Sequence, residues 1–299
     1  MANSVIHRLL ASGYEPGRIA ASFIMVGLCL LWSMSGVVAR QMEGAGSFEM
    51  AFWRSGFCCL TLVVWTRFYT GQNPLVLIRG MGWRGVLSAF FWSVMFTAFM
   101  FAVMRTTVAN TLLMISLSPL VAAVLARLVL GIRIPRVTIA CMVIAGFGIL
   151  WMFKDGLSGD GLTGILIALG IPLASATNLI LLRLSKERIS LAPAIMLGGF
   201  FSAAAMLPFA FPGSATWSDI AWLAYLGTFQ LALPCTILVW LTRFLPPQEI
   251  ALLALSEVIM GSIWAWVWGN EPIPLATIQG GVLIIGALVF NTLRRQQSV

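Results

Sequence analysis

The hexapeptide IPRVTI at residues 134–139 returns as IPLATI at residues 273–278. The segments that precede the two copies also align. SLSPLVAAVLARLVLG at 116–131 and ALSEVIMGSIWAWVWG at 254–269 share a leucine, a serine, a valine and a glycine at equivalent positions. The copies lie almost half of the 299-residue chain apart. This repetition indicates a tandem duplication.

The composition excludes an ordinary soluble domain. Hydrophobic residues make up 60% of the chain and charged residues only 9%, whereas a soluble domain carries roughly 25% charged residues. Most of the surface must therefore face lipid. The net charge of +8 comes from basic residues, mostly arginines, at the ends of apolar runs. That placement is typical of membrane-topology determinants and not of a nucleic-acid groove.

Ten apolar runs approach or exceed the length of about 20 residues that a helix needs to cross a membrane. They occupy residues 19–39, 48–68, 83–104, 108–130, 135–153, 161–184, 189–211, 220–243, 248–268 and 275–293. The connections between them are short and leave no room for a soluble domain. We therefore predict an all-α membrane protein with ten transmembrane helices.

The basic residues give this arrangement an orientation. With ten spans, all of the 18 Lys and Arg residues fall on the side of the two termini except Arg40, Arg54, Arg105 and Lys154. Cytoplasmic loops carry the excess of basic residues in membrane proteins. The sequence therefore predicts that both termini are cytoplasmic.

An odd number of spans in each half makes the duplication an inverted repeat. Five spans per half mean that the second copy enters the membrane in the opposite sense to the first. We expect a cytoplasmic tail at 1–18, a first repeat at 19–153, a second repeat at 161–293 and a cytoplasmic tail at 294–299. Two inverted five-helix repeats around a central cavity provide two near-equivalent conformations, which is the basis of alternating access.

Several segments resemble the EamA-type proteins of the drug/metabolite transporter superfamily. They are LLWSMSG at 30–36, FWRSGF at 52–57, the segments at 116–131 and 134–150, and their copies in the second half. The resemblance extends from about residue 19 to residue 293. It implies a multi-pass protein of the bacterial inner membrane that exports amino acids or similar small metabolites.

Glu257 is the only carboxylate well inside a predicted span. An ionised group at that depth costs about 2.5–3.5 kcal/mol on insertion scales, so the side chain must face protein or water. Three interpretations stay open. Glu257 binds a substrate ammonium or carries a proton, pairs with Arg54 of the second span, or lines the cavity without a direct role. Arg54 in turn extends toward the external end of its span, reaches Glu257 or binds a substrate carboxylate.

The cavity between the halves is expected to be mostly apolar, because the spans hold many aromatic and few polar side chains. Serines in spans usually form hydrogen bonds between helices. Burial of an asparagine or glutamine costs more free energy, so these residues point more strongly to contact with a ligand. A sugar-phosphate site would require clustered Arg or Lys, which the spans lack. The substrate-cavity candidates are Trp32, Ser33, Arg54, Trp92, Phe96, Asn178, Gln230 and Glu257.

Four residues are hinge candidates. Proline removes a helical hydrogen bond and bends the helix, and Pro119, Pro172 and Pro234 lie in the fourth, sixth and eighth predicted spans. Gly261 lies near the middle of the ninth span, the counterpart of the fourth. Static curvature around a cavity is the alternative to a hinge.

Chemistry other than transport has little support in the sequence. His7 is the only histidine, the five cysteines lie within apolar runs, and no Asp, His and Cys residues have metal-ligand spacing. We expect no enzyme activity, metal or cofactor. The expected partners are a small molecule and the lipid bilayer, without nucleic acid. Efflux of drug-like amphiphiles and a lipid-modifying membrane enzyme are the alternatives. The oligomeric state stays open, and a monomer would suffice.

Overall fold

The computed structural model describes residues 16–69, 71–131, 133–152, 159–184, 191–241, 244–245, 247–270 and 273–296. Throughout these ranges the regular structure is helical, and they contain no strand. Most of the two predicted tails, His7 and Lys154 lie outside the described residues. The all-helical class is confirmed.

Ten helices, α1 to α10, coincide with the ten apolar runs. They are α1 (Arg18–Arg40), α2 (Ser47–Val64), α3 (Gly82–Arg105), α4 (Val108–Leu130), α5 (Arg136–Met152), α6 (Gly159–Leu184), α7 (Leu191–Ala210), α8 (Trp217–Tyr225, Leu226–Ala232 and Leu233–Leu241), α9 (Pro247–Val267) and α10 (Leu275–Gln296). A π-helical turn, Trp65–Tyr69, extends α2, and a short helix, Pro74–Gly80, precedes α3.

Six of the described helices are long and apolar enough to cross a membrane, namely α1, α3, α4, α6, α7 and α8. The apolar parts of α5, α9 and α10 are shorter. Helix α2 is not among the six, and it carries Glu49 in its first turn and Arg54 farther along. The structure therefore shows six candidate spans, and the count of ten stays a prediction.

Two of the helices are interrupted by the same local feature, a break between two serines. Helix α1 breaks at Met34 and helix α4 at Leu117, and each break has a serine on either side. All four serine hydroxyls donate to the backbone carbonyl three residues earlier, at 2.6–2.9 Å. Such bonds compete with the helical pattern and bend a helix. Pro119, which has no backbone N–H, follows the second break.

The helices of the first half pack mainly against those of the second. Helix α2 lies along α7, α3 along α6, α5 along α10, and α1 along α9. Glycine allows the closest approach. A Cβ on Gly199 would come within 2.9 Å of the Ser55 carbonyl oxygen, and one on Gly164 within 2.7 Å of the Thr106 nitrogen. Small residues at such contacts are typical of helix packing in membranes.

The repeated hexapeptide forms the same type of hydrogen bond in both copies. Its threonine is buried in each case and donates to an asparagine: Thr138 to Asn291 at 2.7 Å and Thr277 to Asn110 at 3.3 Å. Asn291 and Thr277 lie near opposite ends of α10. The two equivalent hydrogen bonds therefore lie near opposite ends of α10.

Candidate substrate site

Arg54 is a buried cation without an ion-pair partner among the described residues. The side chain is 3% exposed and lies in the middle of α2. Its Nη2 donates to Oε1 of Gln230 at 3.0 Å, and its guanidinium carbon lies 5.2 Å from the centre of the Phe99 ring. Nε and Nη1 have no hydrogen-bond partner in the described part of the chain. A buried charge held only by a neutral amide and a ring face is incompletely compensated.

Gln230 connects Arg54 to the break in α1. It lies in the π-helical segment of α8, Leu226–Ala232, a type of distortion that is frequent at functional sites. Its Nε2 donates to the carbonyl oxygen of Trp32 at 3.2 Å. The same oxygen accepts the Ser35 hydroxyl and the Met34 N–H. One glutamine thus joins α2, α8 and the interruption of α1.

Helix α9 is tied to the same interruption. Nε1 of Trp264 donates to the Ser33 hydroxyl at 3.0 Å. Helix α9 also carries Glu257, which lies two turns before Trp264. The break in α1 therefore receives hydrogen bonds from two helices of the other half, through Gln230 of α8 and Trp264 of α9.

Glu257 is partly accessible and forms no hydrogen bond or ion pair with any described residue. No hydrogen bond or ion pair joins Glu257 to Arg54 among the described residues, so the interpretation that the two side chains pair stays a prediction.

Aromatic rings and thiols surround the polar groups. Cys58, one turn after Arg54, and Cys235 are buried in one cluster with Phe96, and Trp32 and Trp92 pack against it. The rings of Trp92 and Phe96 are 5.6 Å apart. The groups packed around this part of α2 are therefore apolar or polarisable.

Four other buried polar atoms have no partner among the described residues. They are Nε1 of Trp92, Oγ of Ser88, Nη1 of Arg105 and Oδ1 of Asn178. Trp92 and Ser88 lie on α3 and Asn178 on α6, the helix packed along it. No described hydrogen bond joins Asn178 to the Arg54 cluster, so this cavity candidate stands apart from the others.

A family model identifies the chain. The EamA-like transporter family matches it twice, at residues 19–154 and 162–293. The chain belongs to the EamA-like transporter family. A solved structure titled "Crystal structure of protein" aligns with 93% of this chain and 99% of its own, at a TM-score of 0.62 and 16% identity, which shows a shared fold. The search of curated proteins found no match.

Within this EamA-family protein, hydrogen bonds join three of the eight cavity candidates, Trp32, Arg54 and Gln230, and a fourth, Ser33, accepts from Trp264 of α9. The structure adds Phe99, Cys58 and Trp264, which the sequence analysis had not assigned to the site. Cys58 had a usable signal, since it follows Arg54 by four residues on one helix face. The other two are brought in by helix packing and had no local signal.

The hinge candidates occupy different settings. Pro119 follows the break in α4, and Pro234 follows the π-helical segment of α8. Pro172 lies inside the continuous helix α6. Gly261 lies inside the continuous helix α9, where an added Cβ would overlap the side chain of Leu112. Gly261 thus permits close packing of α9 on α4, and a hinge role for any of the four stays a prediction.

Proposed function

We propose that this EamA-family protein exports amino acids or similar small metabolites across the bacterial inner membrane by alternating access. The observation that carries the proposal is the incompletely compensated Arg54 of α2, which is buried against Gln230 of the other half. Intramembrane ionisable residues usually mark substrate pathways. An amino acid carries a carboxylate that Arg54 can bind, and Glu257 on α9 is a candidate partner for its ammonium.

The contacts of the repeated hexapeptide support the inverted arrangement that this mechanism requires. Thr138 of α5 donates to Asn291 near the end of α10, and the equivalent Thr277, near the start of α10, donates to Asn110 of α4. The distribution of basic residues supports cytoplasmic termini. On this basis we take the ten helices as two inverted five-helix repeats around a central cavity.

Interrupted helices near the site support movement there. Gln230 joins the π-helical segment of α8 to Arg54 and to the break in α1, and the break at Leu117 lies in α4, which packs against α9. Discontinuous helices frame the binding sites of many secondary transporters. We propose that the two halves tilt about these points as the site changes its side of access.

Efflux of drug-like amphiphiles is a second candidate. The aromatic surroundings, Trp32, Trp92, Phe96 and Phe99, and a single accessible carboxylate favour an apolar cation. The buried Arg54 opposes that ligand, since it would place two cations in one apolar site. Cationic dyes and amino acids as substrates separate the two functions.

Flux into liposomes tests the proposal. The purified protein is reconstituted, and uptake and efflux of a panel of radiolabelled amino acids are measured with and without a pH gradient. Saturable flux that depends on the protein is expected, and its response to the gradient reports whether protons move with the substrate. If cationic dyes are transported and no amino acid is, the function is amphiphile efflux and not amino-acid export.

A further inference from the structure

We infer that the contact between the α1–α2 loop (residues 41–46) and the α7–α8 loop (residues 211–216) is the external gate of the transport pathway. The inference rests on the proposed function and goes beyond it, because it identifies the part of the molecule that opens when the substrate leaves. The gate is closed in this structure, and the carboxylates of Glu49 and Asp219 hold it.

Hydrogen bonds join the two loops in both directions. Glu49 of α2 accepts from a backbone N–H of the α7–α8 loop at 2.9 Å and from the Ser214 hydroxyl at 3.2 Å. Asp219 of α8 accepts from two successive N–H groups of the α1–α2 loop, that of Gly44 at 3.1 Å. The Ser214 hydroxyl also lies 2.7 Å from the Gly44 carbonyl oxygen. The two halves of the protein are therefore tied together at this end.

The gate lies on the external side of Arg54 in the proposed topology. Glu49 precedes Arg54 by five residues on α2, which corresponds to about 7–8 Å along the helix. Deeper in the bundle, α2 and α8 stay bonded to each other. Arg54 donates to Gln230 at 3.0 Å, and Oγ1 of Thr61 lies 2.9 Å from Oγ1 of Thr228. A substrate bound at Arg54 leaves between α2 and α8 when the loop contact opens.

A second interface between the halves is bonded at both ends. Helices α5 and α10 pack along each other. Thr138 donates to Asn291 at 2.7 Å near one end, and Nε1 of Trp151 donates to Gln279 at 2.8 Å near the other. Alternating access separates the halves at one end at a time. An interface bonded at both ends serves as the fixed side of that movement, which places the opening at the α2–α8 side.

The two carboxylates favour closure at the external end. Both side chains are buried, and hydrogen bonds from N–H groups to a carboxylate are strong. In the proposed two-repeat arrangement, the connection between α2 and α3 is the cytoplasmic counterpart of the α7–α8 loop. Residues 65–85, which include this connection, contain no Asp or Glu, so an equivalent of Asp219 is missing there. The protein therefore rests with its external end closed, which suits an exporter that collects its substrate from the cytoplasm.

Cross-linking of the two loops tests the gate. Glu43→Cys and Ser214→Cys place thiols at two exposed positions, one in each loop, and Ser214 contacts the residue next to Glu43. The purified double variant is treated in detergent with a short bifunctional maleimide, reconstituted, and assayed for flux of radiolabelled neutral amino acids. The cross-linked protein should lose at least about tenfold in flux, because the halves cannot separate at the external end. The untreated double variant should keep its flux.

A pair of thiols on the fixed side is the matched control. Trp151→Cys and Gln279→Cys also connect the two halves, through α5 and α10. Cross-linking of this pair should leave the flux unchanged. Full flux through the cross-linked loop pair would overturn the gate, and so would an equal loss of flux in both pairs. Absence of flux from every untreated protein would instead overturn the proposed function.

Distance measurements test the role of the two carboxylates. Spin labels at positions 43 and 214 should report a short distance, and a second, longer distance should gain population when Glu49→Gln and Asp219→Asn are introduced. These amides keep the shape of the side chains and lose the charge, so the open population should rise about fivefold or more. Labels at positions 151 and 279 should keep their distance. An unchanged distribution between positions 43 and 214 in the folded variant would overturn the role of the carboxylates.

Discussion

At the residue scale, the guanidinium of Arg54 has an amide where an ion pair would normally be found. Gln230 orients Arg54 without neutralising it, because an amide oxygen accepts the hydrogen bond but carries no net charge. The positive charge stays available for a ligand. This choice of glutamine over glutamate has a testable consequence.

Gln230→Glu should stabilise the protein and weaken its binding of the substrate. A carboxylate at this position supplies the missing counter-charge to Arg54, so the melting temperature in detergent should rise by about 2–4 °C. The Trp32 oxygen loses one donor but keeps the Ser35 hydroxyl and the Met34 N–H. The same variant should raise the KM for amino acids at least about tenfold, because the internal carboxylate competes with the substrate.

Thermal unfolding and initial flux rates check this prediction together. Gln279→Glu, at an exposed position where the carboxylate can still accept from Trp151, is the control and should leave the KM unchanged. A Gln230→Glu protein with an unchanged KM would show that Arg54 does not contact the substrate.

At the element scale, two carboxylates each cap their own helix and hold the loop of the other half. Glu49 accepts from the Gly46 N–H at the start of α2 and from the Ala215 N–H at 2.9 Å across the interface. Asp219 accepts from the Thr216 N–H at the start of α8 and from the Gly44 N–H at 3.1 Å. We name this reciprocal arrangement of Glu49 and Asp219 the loop clasp.

Loss of either carboxylate of the loop clasp should destabilise the protein. Glu49→Ala and Asp219→Ala each remove a helix cap and leave buried N–H groups without acceptors, at a cost of about 1–3 kcal/mol. The double variant should cost less than the sum, because the two share the loop around Gly44. Melting temperatures in detergent measure both effects. Glu43→Ala, an exposed carboxylate in the same loop, should leave the melting temperature unchanged.

The contact between α9 and α4 depends on a glycine, Gly261, which has no side chain. A Cβ at Gly261 would overlap Leu112, so Gly261→Ala should reduce the melting temperature and the yield of folded protein. Leu112→Ala in the same chain should recover part of the loss by making room. Gly27→Ala, whose Cβ would have no neighbour within 4 Å, is the matched control. Normal stability of Gly261→Ala alone would contradict the close packing.

At the scale of the whole molecule, hydropathy was sufficient to predict the helices, since the apolar runs follow their bounds within a few residues. The break at Met34 was not predicted, because Ser33 and Ser35 resemble ordinary small packing residues in sequence. The π-helical segment of α8 has no local sequence signal. The link from Arg54 to Gln230 joins residues from different halves and depends on helix packing. The acceptor roles of Glu49 and Asp219 were not predicted, because each carboxylate accepts from a loop of the opposite half.

The predicted orientation can be checked with single cysteines. Glu43→Cys should react with a membrane-impermeant maleimide in intact cells, and Gln72→Cys only after permeabilisation, since the two exposed sites lie at opposite ends of the α1–α2 hairpin. The parent protein is the control, because four of its five cysteines are buried. Labelling of Gln72→Cys in intact cells would reverse the orientation and contradict the cytoplasmic termini.

The central claim is that the buried charge of Arg54 is kept for a substrate carboxylate. Equilibrium binding of radiolabelled neutral amino acids to the purified protein in detergent tests it most directly, with wild type, Arg54→Gln and Arg67→Gln compared. The account predicts displaceable binding to wild type and to Arg67→Gln, and a loss of at least about tenfold in affinity for Arg54→Gln. Equal affinity of folded Arg54→Gln and wild type would contradict it.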